Sequence, residues 1–333
     1  MTRPVVEGGP AVVCLGETMA QIVPIDGLRL HEASACAFGV AGAESNVAIS
    51  LSRLGTAAFW AGFVGDDPMG LRVLGELRRH GVVTKLARTM PGRRTGVYFK
   101  DPAPEGSDIY YYRSGSAATL MDGEYAERIA AVRPRWIHLT GVTPALSENC
   151  REAVISLIEL AGDTGASVSF DVNYRPSLWP ARDAAAQSLM AIADRCNVVF
   201  VGLDEAQTLW KSCTAGAVRD HLPSPDVVVV KDGGREAVAF RGGRRTAVPA
   251  LPVDVVEPVG AGDAFAAGWI HGALVGLDEA GCLRLGHLLA GAAMTSLSDV
   301  ADLPTAPAAL VARAKHGNEW PGHGSPAEAS PHP

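Results

Sequence analysis

The run Pro258-Val259-Gly260-Ala261-Gly262-Asp263-Ala264-Phe265 sets two glycines and an alanine directly before a carboxylate and an apolar, helix-compatible stretch. Small residues let backbone N–H groups approach an anion closely, and the following helix aims its positive end at the same point. A carboxylate seated there can take a proton from a hydroxyl brought up beside a phosphate. For these few residues alone, a plain helix N-cap with glycines easing a turn is the alternative. The continuation Ala264-Phe265-Ala266-Ala267-Gly268-Trp269-Ile270 is small or apolar throughout. Such a helix is buried on nearly every side, as at the centre of an α/β protein. A buried helix with Gly-Ala-Gly-Asp at its open end suits an anion better than plain capping.

Ligands of open α/β sheets bind outside the carboxyl ends of the strands. Three polar clusters fall at such ends: Glu17 after the first strand, Asp171-Val172-Asn173-Tyr174-Arg175, and Lys231-Asp232-Gly233-Gly234. Each alone reads as a solvated turn; three together point to a site. Neither a G-x-x-x-x-G-K-[ST] loop nor a G-x-G-x-x-G fingerprint after the first strand is present, so P-loop and ordinary dinucleotide-binding readings lose support.

The elements that must position these residues follow from periodicity. Strands are predicted at Val12–Leu15, Trp136–Leu139, Ser167–Asp171, Val198–Val201 and Val227–Lys231, with Ala57–Gly65 also strand-like. Helices are predicted around Asn46–Leu51 and at Pro68–His80, Glu148–Ala161, Ala184–Ala193, Glu205–Lys211, Ala264–Leu274 and Glu279–Leu297. Alternating buried strands and helices imply a parallel sheet covered on both faces. Ala237–Phe240 and Thr246–Pro249 read as a hairpin. Two segments break the rhythm, Gln21–Phe38 and Thr95–Arg113, the second with a hairpin of its own. Together they form a small sheet standing off the main domain as a lid. The apolar face of so small a sheet needs cover. A second copy of the chain supplies it in a homodimer, with further assembly left open. The main domain spans 11–312, and 317–333, rich in Pro, Gly, Ser and His, reads as a disordered tail.

The chain has 333 residues, of which 47% are hydrophobic, enough for one large core. Acids and bases are interspersed at a formal net charge of −7, without a long basic run, which argues against nucleic acid as a partner. No apolar run reaches membrane-spanning length and no signal pattern opens the chain. Six scattered cysteines without a C-x-x-C pair read as reduced, mostly buried thiols of a cytoplasmic protein. The nine histidines show no metal-ligand spacing.

Two separated segments bring a family into view. Ala41-Gly42-Ala43-Glu44-Ser45-Asn46-Val47-Ala48 with Leu54-Gly55, continued by Gly65-Asp66-Asp67-Pro68-x-Gly70, resembles the first signature of the ribokinase-like (PfkB) carbohydrate kinases. Gly260-Ala261-Gly262-Asp263-Ala264-Phe265 with Gly268 resembles the second. The similarity runs from about Val12 to Leu310. It implies a ribokinase-like α/β fold: a central, mostly parallel sheet with helices on both faces and a β-sheet lid. It implies transfer of the γ-phosphoryl of ATP, with Mg²⁺, to a sugar hydroxyl, and leaves activation by a monovalent cation open. Asp263 would be the base, and the N–H groups of Gly260, Ala261 and Gly262 the anion hole. Lys231, Gly233 and Gly234 match the nucleotide loop. Gly202-Leu203-Asp204-Glu205 stands where the family often has Asn-x-x-Glu, so Glu205 becomes an indirect metal candidate while Gly202 departs from the pattern, as Ala41 does more mildly.

Within the family the chain looks most like the 2-keto-3-deoxygluconate kinases. Tyr110-Tyr111-Tyr112-Arg113-x-x-Ser116-Ala117-Ala118 resembles their Tyr-Tyr-Arg segment, Asp171-x-Asn173-x-Arg175-x-x-Leu178-Trp179 their Asp-x-Asn-x-Arg segment, and Ser298-Asp299 their late aspartate. Arg113 and Arg175 offer forked donors to a carboxylate, which a neutral sugar would leave poorly paired. The alternative is that they pair with neighbouring acids such as Asp108 or Asp171. Tyr98 and Tyr111 add hydroxyls and flat faces; Glu17, Gly42, Ala43, Asn46 and Asp299 complete the expected sugar contacts. The rival readings are a kinase of a neutral sugar such as fructose or ribose, and a catalytically idle sugar-binding protein on the same fold.

Overall fold

A computed structural model of the protein describes residues 11–103, 106–296, 299–317 and 320. In chain order the strands are β1 (Val12–Leu15), β2 (Met19–Pro24), β3 (Cys36–Ala41), β4 (Ala58–Ala61), β5 (Phe63–Gly65), β6 (Arg88–Met90), β7 (Val97–Ala103), β8 (Gly106–Tyr112), β9 (Trp136–Thr140), β10 (Ser167–Asp171), β11 (Val198–Gly202), β12 (Val227–Asp232), β13 (Glu236–Arg241) and β14 (Arg244–Pro249). The helices are α1 (Ala43–Arg53), α2 (Pro68–Arg79), α3 (Gly123–Ala131), α4 (Glu148–Thr164), α5 (Arg182–Ala193), α6 (Leu203–Trp210), α7 (Ala215–His221), α8 (Ala261–Leu274), α9 (Glu279–Met294) and α10 (Pro307–His316). None is long and apolar enough to cross a membrane among the described residues.

The central sheet has the order β14-β13-β12-β11-β10-β9-β1-β4. From β4 to β12 every neighbouring pair is parallel, and β13 and β14 close one edge as antiparallel strands. The continuous valines Val227–Val230 are fully buried, as a strand covered on both faces requires. Alternation divides the core in two: Val12 and Cys14 pack toward α1, α2, α8, α9 and α10, whereas Val13 and Leu15 pack toward α3 to α7. α8 buries Trp269 completely and Phe265 almost so. Each such side chain stabilises by about 1.5–3 kcal/mol, which fixes where the start of α8 lies.

The strand-like stretch 57–65 is two strands. β4 joins the central sheet, while β5 pairs with β6, because the chain leaves the sheet at Gly62, where a side chain would collide with the Gly16 carbonyl and the Trp60 ring. α9 stops at Met294, short of the expected Leu297, which lies outside the described residues. Trp320 corrects part of the expected tail: it is 4% exposed, donates from Nε1 to the Pro249 carbonyl (2.8 Å) and stacks near His287. Residues 318, 319 and 321–333 of that tail lie outside the described residues.

The two segments that break the α/β rhythm form a separate four-stranded sheet, β3-β2-β7-β8. Register puts Gln21, Tyr98, Lys100, Ile109 and Tyr111 on one face, and Ile22, Phe38, Phe99, Tyr110 and Tyr112 on the other. The first face looks onto the carboxyl ends of the central strands; the second leaves Phe38, Tyr110 and Tyr112 exposed by 46%, 47% and 67%. The lid is anchored where its strands leave the core. The Asp67 carboxylate, N-cap of α2, also accepts the Thr95 N–H (2.7 Å) and hydroxyl (2.9 Å) at the start of the lid hairpin. Arg94 bridges to Ser116 at its end.

Candidate active site

A cavity of about 890 Å³ lies between the lid and the carboxyl ends of β1, β10, β11 and β12. Each of those strands turns out of the sheet there: Glu17, Asn173 and Asp204 follow β1, β10 and β11 at the cavity, and the Gly233-Gly234 turn follows β12. The expected sugar contacts, the nucleotide loop, Glu205 and the Gly-Ala-Gly-Asp turn all line this one cavity. Of the expected sugar contacts, Glu17, Gly42, Ala43, Asn46, Tyr98, Tyr111, Arg113, Arg175 and Asp299 line it. On the side of α8 stand Glu205, Lys231, Gly233, Gly234, Gly260, Ala261, Gly262 and Asp263. Ser298, read beside Asp299, lies outside the described residues.

Asp263 sits in the first turn of α8, 8% exposed. Asn46 Nδ2, from α1, donates to its Oδ2 (2.9 Å), and Asn173 Nδ2 approaches its Oδ1 (3.4 Å). The carboxylate is therefore aimed by two separate elements. Burial pushes its pKa up to about 7; Asn46 works against the rise, Asp171 adds to it, and Arg175 and Lys231 oppose it. A carboxylate poised near neutrality suits a general base.

The turn before α8 is tight. Gly260 has φ +85°, and a Cβ there would run into the Asp299 carbonyl, so only glycine fits. The Ala261 N–H bends back to the Pro258 carbonyl (3.3 Å) and closes the turn. That alters the expected anion hole: the amides without an acceptor among the described residues are those of Gly260, Gly262 and Asp263, while that of Ala261 is engaged. Unpaired N–H groups at the start of a helix are what an anion requires. Gly42 has a comparable constraint at the start of α1. A Cβ there would strike the Glu17 carbonyl, so glycine lets α1 abut the crossing from β1 to β2.

Arg113 pairs with neither Asp108 nor Asp171. It forms a buried ion pair with Glu17, while Asp108 takes Arg29 and Asp171 takes Lys231. Charge contact and hydrogen bonding differ here: Arg113 Nη2 and Glu17 Oε2 meet without hydrogen-bond alignment, and Arg113 Nε is buried without a hydrogen-bond partner. Glu17 Oε1 accepts from the Ser116 hydroxyl (2.6 Å). Arg175 is exposed at the cavity rim and reaches the Tyr174 carbonyl (3.2 Å); among the described residues it has no ion pair. Asn46 Oδ1, Asp171 Oδ1 and Asn173 Oδ1 are buried at the same cavity without a hydrogen-bond partner. Buried polar atoms are rarely left so, and a cluster of them marks a place built for a polar ligand.

Lys231 Nζ stands 2.7 Å from Asp171 Oδ2. Burial works against its charge, but Asp171 and then Glu205 outweigh that, and its pKa is raised. Glu205 differs from a metal ligand in the open: Oε1 accepts the Tyr174 N–H (2.8 Å) and Oε2 the Gly202 N–H (2.9 Å). Burial, then Asp171, raise its pKa against those bonds. Gly202 supplies only the backbone half of a capping box, and the Asp204 side chain lies over the space where its Cβ would stand. No group of three or more His, Cys, Asp or Glu residues is placed to hold a metal by itself among the described residues. The donor set fits Mg²⁺ arriving with nucleotide phosphates, since that ion keeps waters and needs only one or two carboxylates. Asp171, a cavity-lining carboxylate whose Oδ1 has no hydrogen-bond partner, would be the group to meet such an ion or its waters.

Two expected sugar contacts engage each other: the Tyr98 hydroxyl donates to Asp299 Oδ2 (2.7 Å), and Gln21 contacts both. Lys100 and Glu257, which the motif reading passes over, join this group as a buried ion pair at 2.8 Å. Lys100 stands two residues after Tyr98 on a strand, so alternation alone puts it on the inward face.

Residues 10–306 match the model of the pfkB family carbohydrate kinases. The chain is 34% identical to a 2-dehydro-3-deoxygluconokinase from Bacillus subtilis (strain 168), covering 88% of this chain and 92% of that protein. It is 33% identical to a 2-dehydro-3-deoxygalactonokinase from Haloferax volcanii, covering 87% and 92%. Among solved structures, a PfkB protein from Polaromonas sp. JS666 superposes with a TM-score of 0.80 at 31% identity, over 87% of this chain and 97% of that one. The same fold occurs in a putative ribokinase II from E. coli in complex with ATP and Mg²⁺ (TM-score 0.79, 21% identity, 91% and 99% covered).

Proposed function

The chain belongs to the pfkB family of carbohydrate kinases, and from that premise we propose that it phosphorylates the terminal hydroxyl of 2-keto-3-deoxygluconate, with MgATP as donor. One observation carries the reading. Three side-chain oxygens, those of Asn46, Asp171 and Asn173, are buried without hydrogen-bond partners in residues that line the cavity containing Asp263. A sugar acid, rich in hydroxyls and carrying one carboxylate, pairs such atoms; an apolar ligand would not. The substrates named for the Bacillus and Haloferax relatives support the acid class.

In this reading Asp263 takes the proton of the attacking hydroxyl, a new O–P bond forms, and the bond from the γ-phosphorus to the bridging oxygen breaks, leaving ADP. The free amides at the start of α8 and the Lys231 ammonium hold the charge that gathers on the moving phosphoryl. Mg²⁺, when bound, neutralises the nucleotide phosphates. Asn46 and Asn173 keep the Asp263 carboxylate turned toward the hydroxyl. Arg175 and the lid tyrosine Tyr111 close over the acid end. Coupled ADP release across a panel of acid and neutral sugars tests this: 2-keto-3-deoxygluconate or its galactonate epimer should give the highest kcat/KM. A clear preference for fructose or ribose would replace the acid assignment, and no turnover with any sugar would remove the kinase assignment.

A second copy of the chain is the proposed cover for the outer lid face. Phe38, Tyr110 and Tyr112 there add aromatic area that water solvates poorly. The protein is expected to be dimeric by light scattering at micromolar concentration, and Tyr112→Asp is expected to shift it toward monomer. A monomeric wild-type protein would contradict the assignment.

A further inference from the structure

We propose that Lys100 is a positioning residue for phosphoryl transfer: from the lid, it sets the turn that presents the amides of Gly260, Gly262 and Asp263. The inference rests on the kinase reading above. Lys100 lies on β7 with its side chain 4% exposed. Its Nζ is 2.8 Å from Glu257 Oε2 and 3.4 Å from Asp299 Oδ1. These two carboxylates belong to the two chain segments that enclose Gly260. Glu257 stands three residues before it, and its Oε1 accepts the Val259 N–H (3.3 Å) inside the same turn. Asp299 presses its own carbonyl against the Gly260 Cα, where a Cβ would collide. One ammonium therefore bridges both walls of the turn.

Other lid groups touch the same carboxylates, but none of them brings charge. Tyr98 and Gln21 donate to Asp299, and the Ser107 hydroxyl to Glu257 (3.3 Å). Among the described residues Lys100 is the one cation within ion-pair distance of either acid. Both acids are 4% exposed, so water cannot replace it as a counter-charge. With the lid closed, the two carboxylates are neutralised in part and the turn is braced. With the lid swung away, Lys100, Tyr98 and Gln21 leave together, and the two carboxylates on either side of the turn lose their counter-charge. The lid that covers the sugar thus also completes the phosphate side, and a phosphoryl acceptor must be enclosed before the anion hole is fully formed.

The test compares wild type, Lys100→Met, Lys100→Arg and Glu257→Gln by steady-state kinetics on the best sugar of the panel. Active folded protein is measured by calorimetry in each case. Lys100→Met is expected to lower kcat by about tenfold or more per folded molecule, since sub-ångström misplacement of reacting groups has effects of that order. It is also expected to raise the KM for ATP more than the KM for sugar, and Lys100→Arg is expected to restore most of the loss. A merely structural lysine would lower the melting temperature and leave kcat per folded molecule, and the ratio of the two KM values, unchanged. That outcome overturns the inference. If Lys100→Met does not fold, Glu257→Gln decides beside Lys100→Arg. Glu257→Gln is expected to lower kcat per folded molecule and to raise the KM for ATP more than the KM for sugar, while Lys100→Arg stays near wild type. A Glu257→Gln variant with kcat and the ratio of the two KM values unchanged overturns the inference. A wild type that phosphorylates nothing overturns the kinase reading and this inference with it, whereas an active wild type matched by Lys100→Met overturns this inference alone.

Discussion

Replacing Asp263 by Asn is expected to lower kcat by about 10²–10⁴-fold, the span typical of a lost general base, with sugar binding close to wild type. The amide keeps the shape and can still meet Asn46 and Asn173, but it cannot take a proton. The raised pKa of about 7 gives the substitution two further signatures. The first is kinetic: wild-type kcat/KM should rise with pH along a one-proton curve with its midpoint near 7, because only the ionised carboxylate acts. A flat profile between pH 5.5 and 8 would remove Asp263 as the titrating base. The second concerns stability. The folded state holds this proton more tightly than the unfolded chain, whose value is near the ordinary 3.8. The group therefore favours folding fully below about pH 4 and loses that contribution as pH rises toward 7. Asp263→Asn cannot ionise, so it should melt above wild type at pH 8, with the gap closing toward pH 4. A variant both inactive and less stable at pH 8 would point to a structural carboxylate instead.

Arg175→Ala is expected to reduce kcat/KM on the acid sugar by about 10–100-fold and on neutral sugars very little. The estimate takes a charge-assisted hydrogen bond to be worth about 1.5–3 kcal/mol. The choice of Arg175 over Arg113 follows from the charge pairing. Arg113 is already neutralised by Glu17, both of them buried. Removing it would strand a carboxylate in the core, at a stability cost of about 3–5 kcal/mol, and would blur any effect on specificity. Arg175 holds only a carbonyl of its neighbour, so its loss leaves nothing buried and unpaired. Kinetics of the variant on matched acid and neutral sugars decide the matter: equal losses on both would end the argument for a carboxylate in the substrate.

The parallel strands are legible in the sequence because burial on both faces writes them as unbroken apolar runs, as in Val227–Val230. The site is legible for a related reason. In such a sheet the residue after each run stands at the ligand end, which brings Glu17, Asn173 and Lys231 together without any knowledge of distance. Short elements escape. β6 has three residues and exists through its pairing with β5, and α7 has seven, too few to show a period. α3 carries a readable stripe at Tyr125, Ala126, Ile129 and Ala130 behind the N-cap Asp122, but Gly123 at its first position argues locally against a helix. Partnerships escape most completely. Nothing in either local segment says that Arg113 belongs to Glu17 or Lys100 to Glu257, because each pair is chosen by the folding of the lid over the core. Composition also hides Glu44, a carboxylate inside the first signature. It is wholly buried, accepts the Thr140 and Thr143 hydroxyls on one oxygen and leaves the other unpaired; burial raises its pKa, and the threonines hold the rise down.

The lid joins the core through four short crossings, at residues 16–19, 41–43, 93–97 and 112–117, and none of them hangs free. Asp67 grips Thr95, Arg94 bridges to Ser116, and Gly42 rests against the Glu17 carbonyl. A flap on a single tether can admit its guest by fraying, but a plate pinned at four points must swing as one stiff body. If the small molecule enters and leaves as this plate tilts, bending shared among these pivots is expected to set its residence time together with the contacts that grip it.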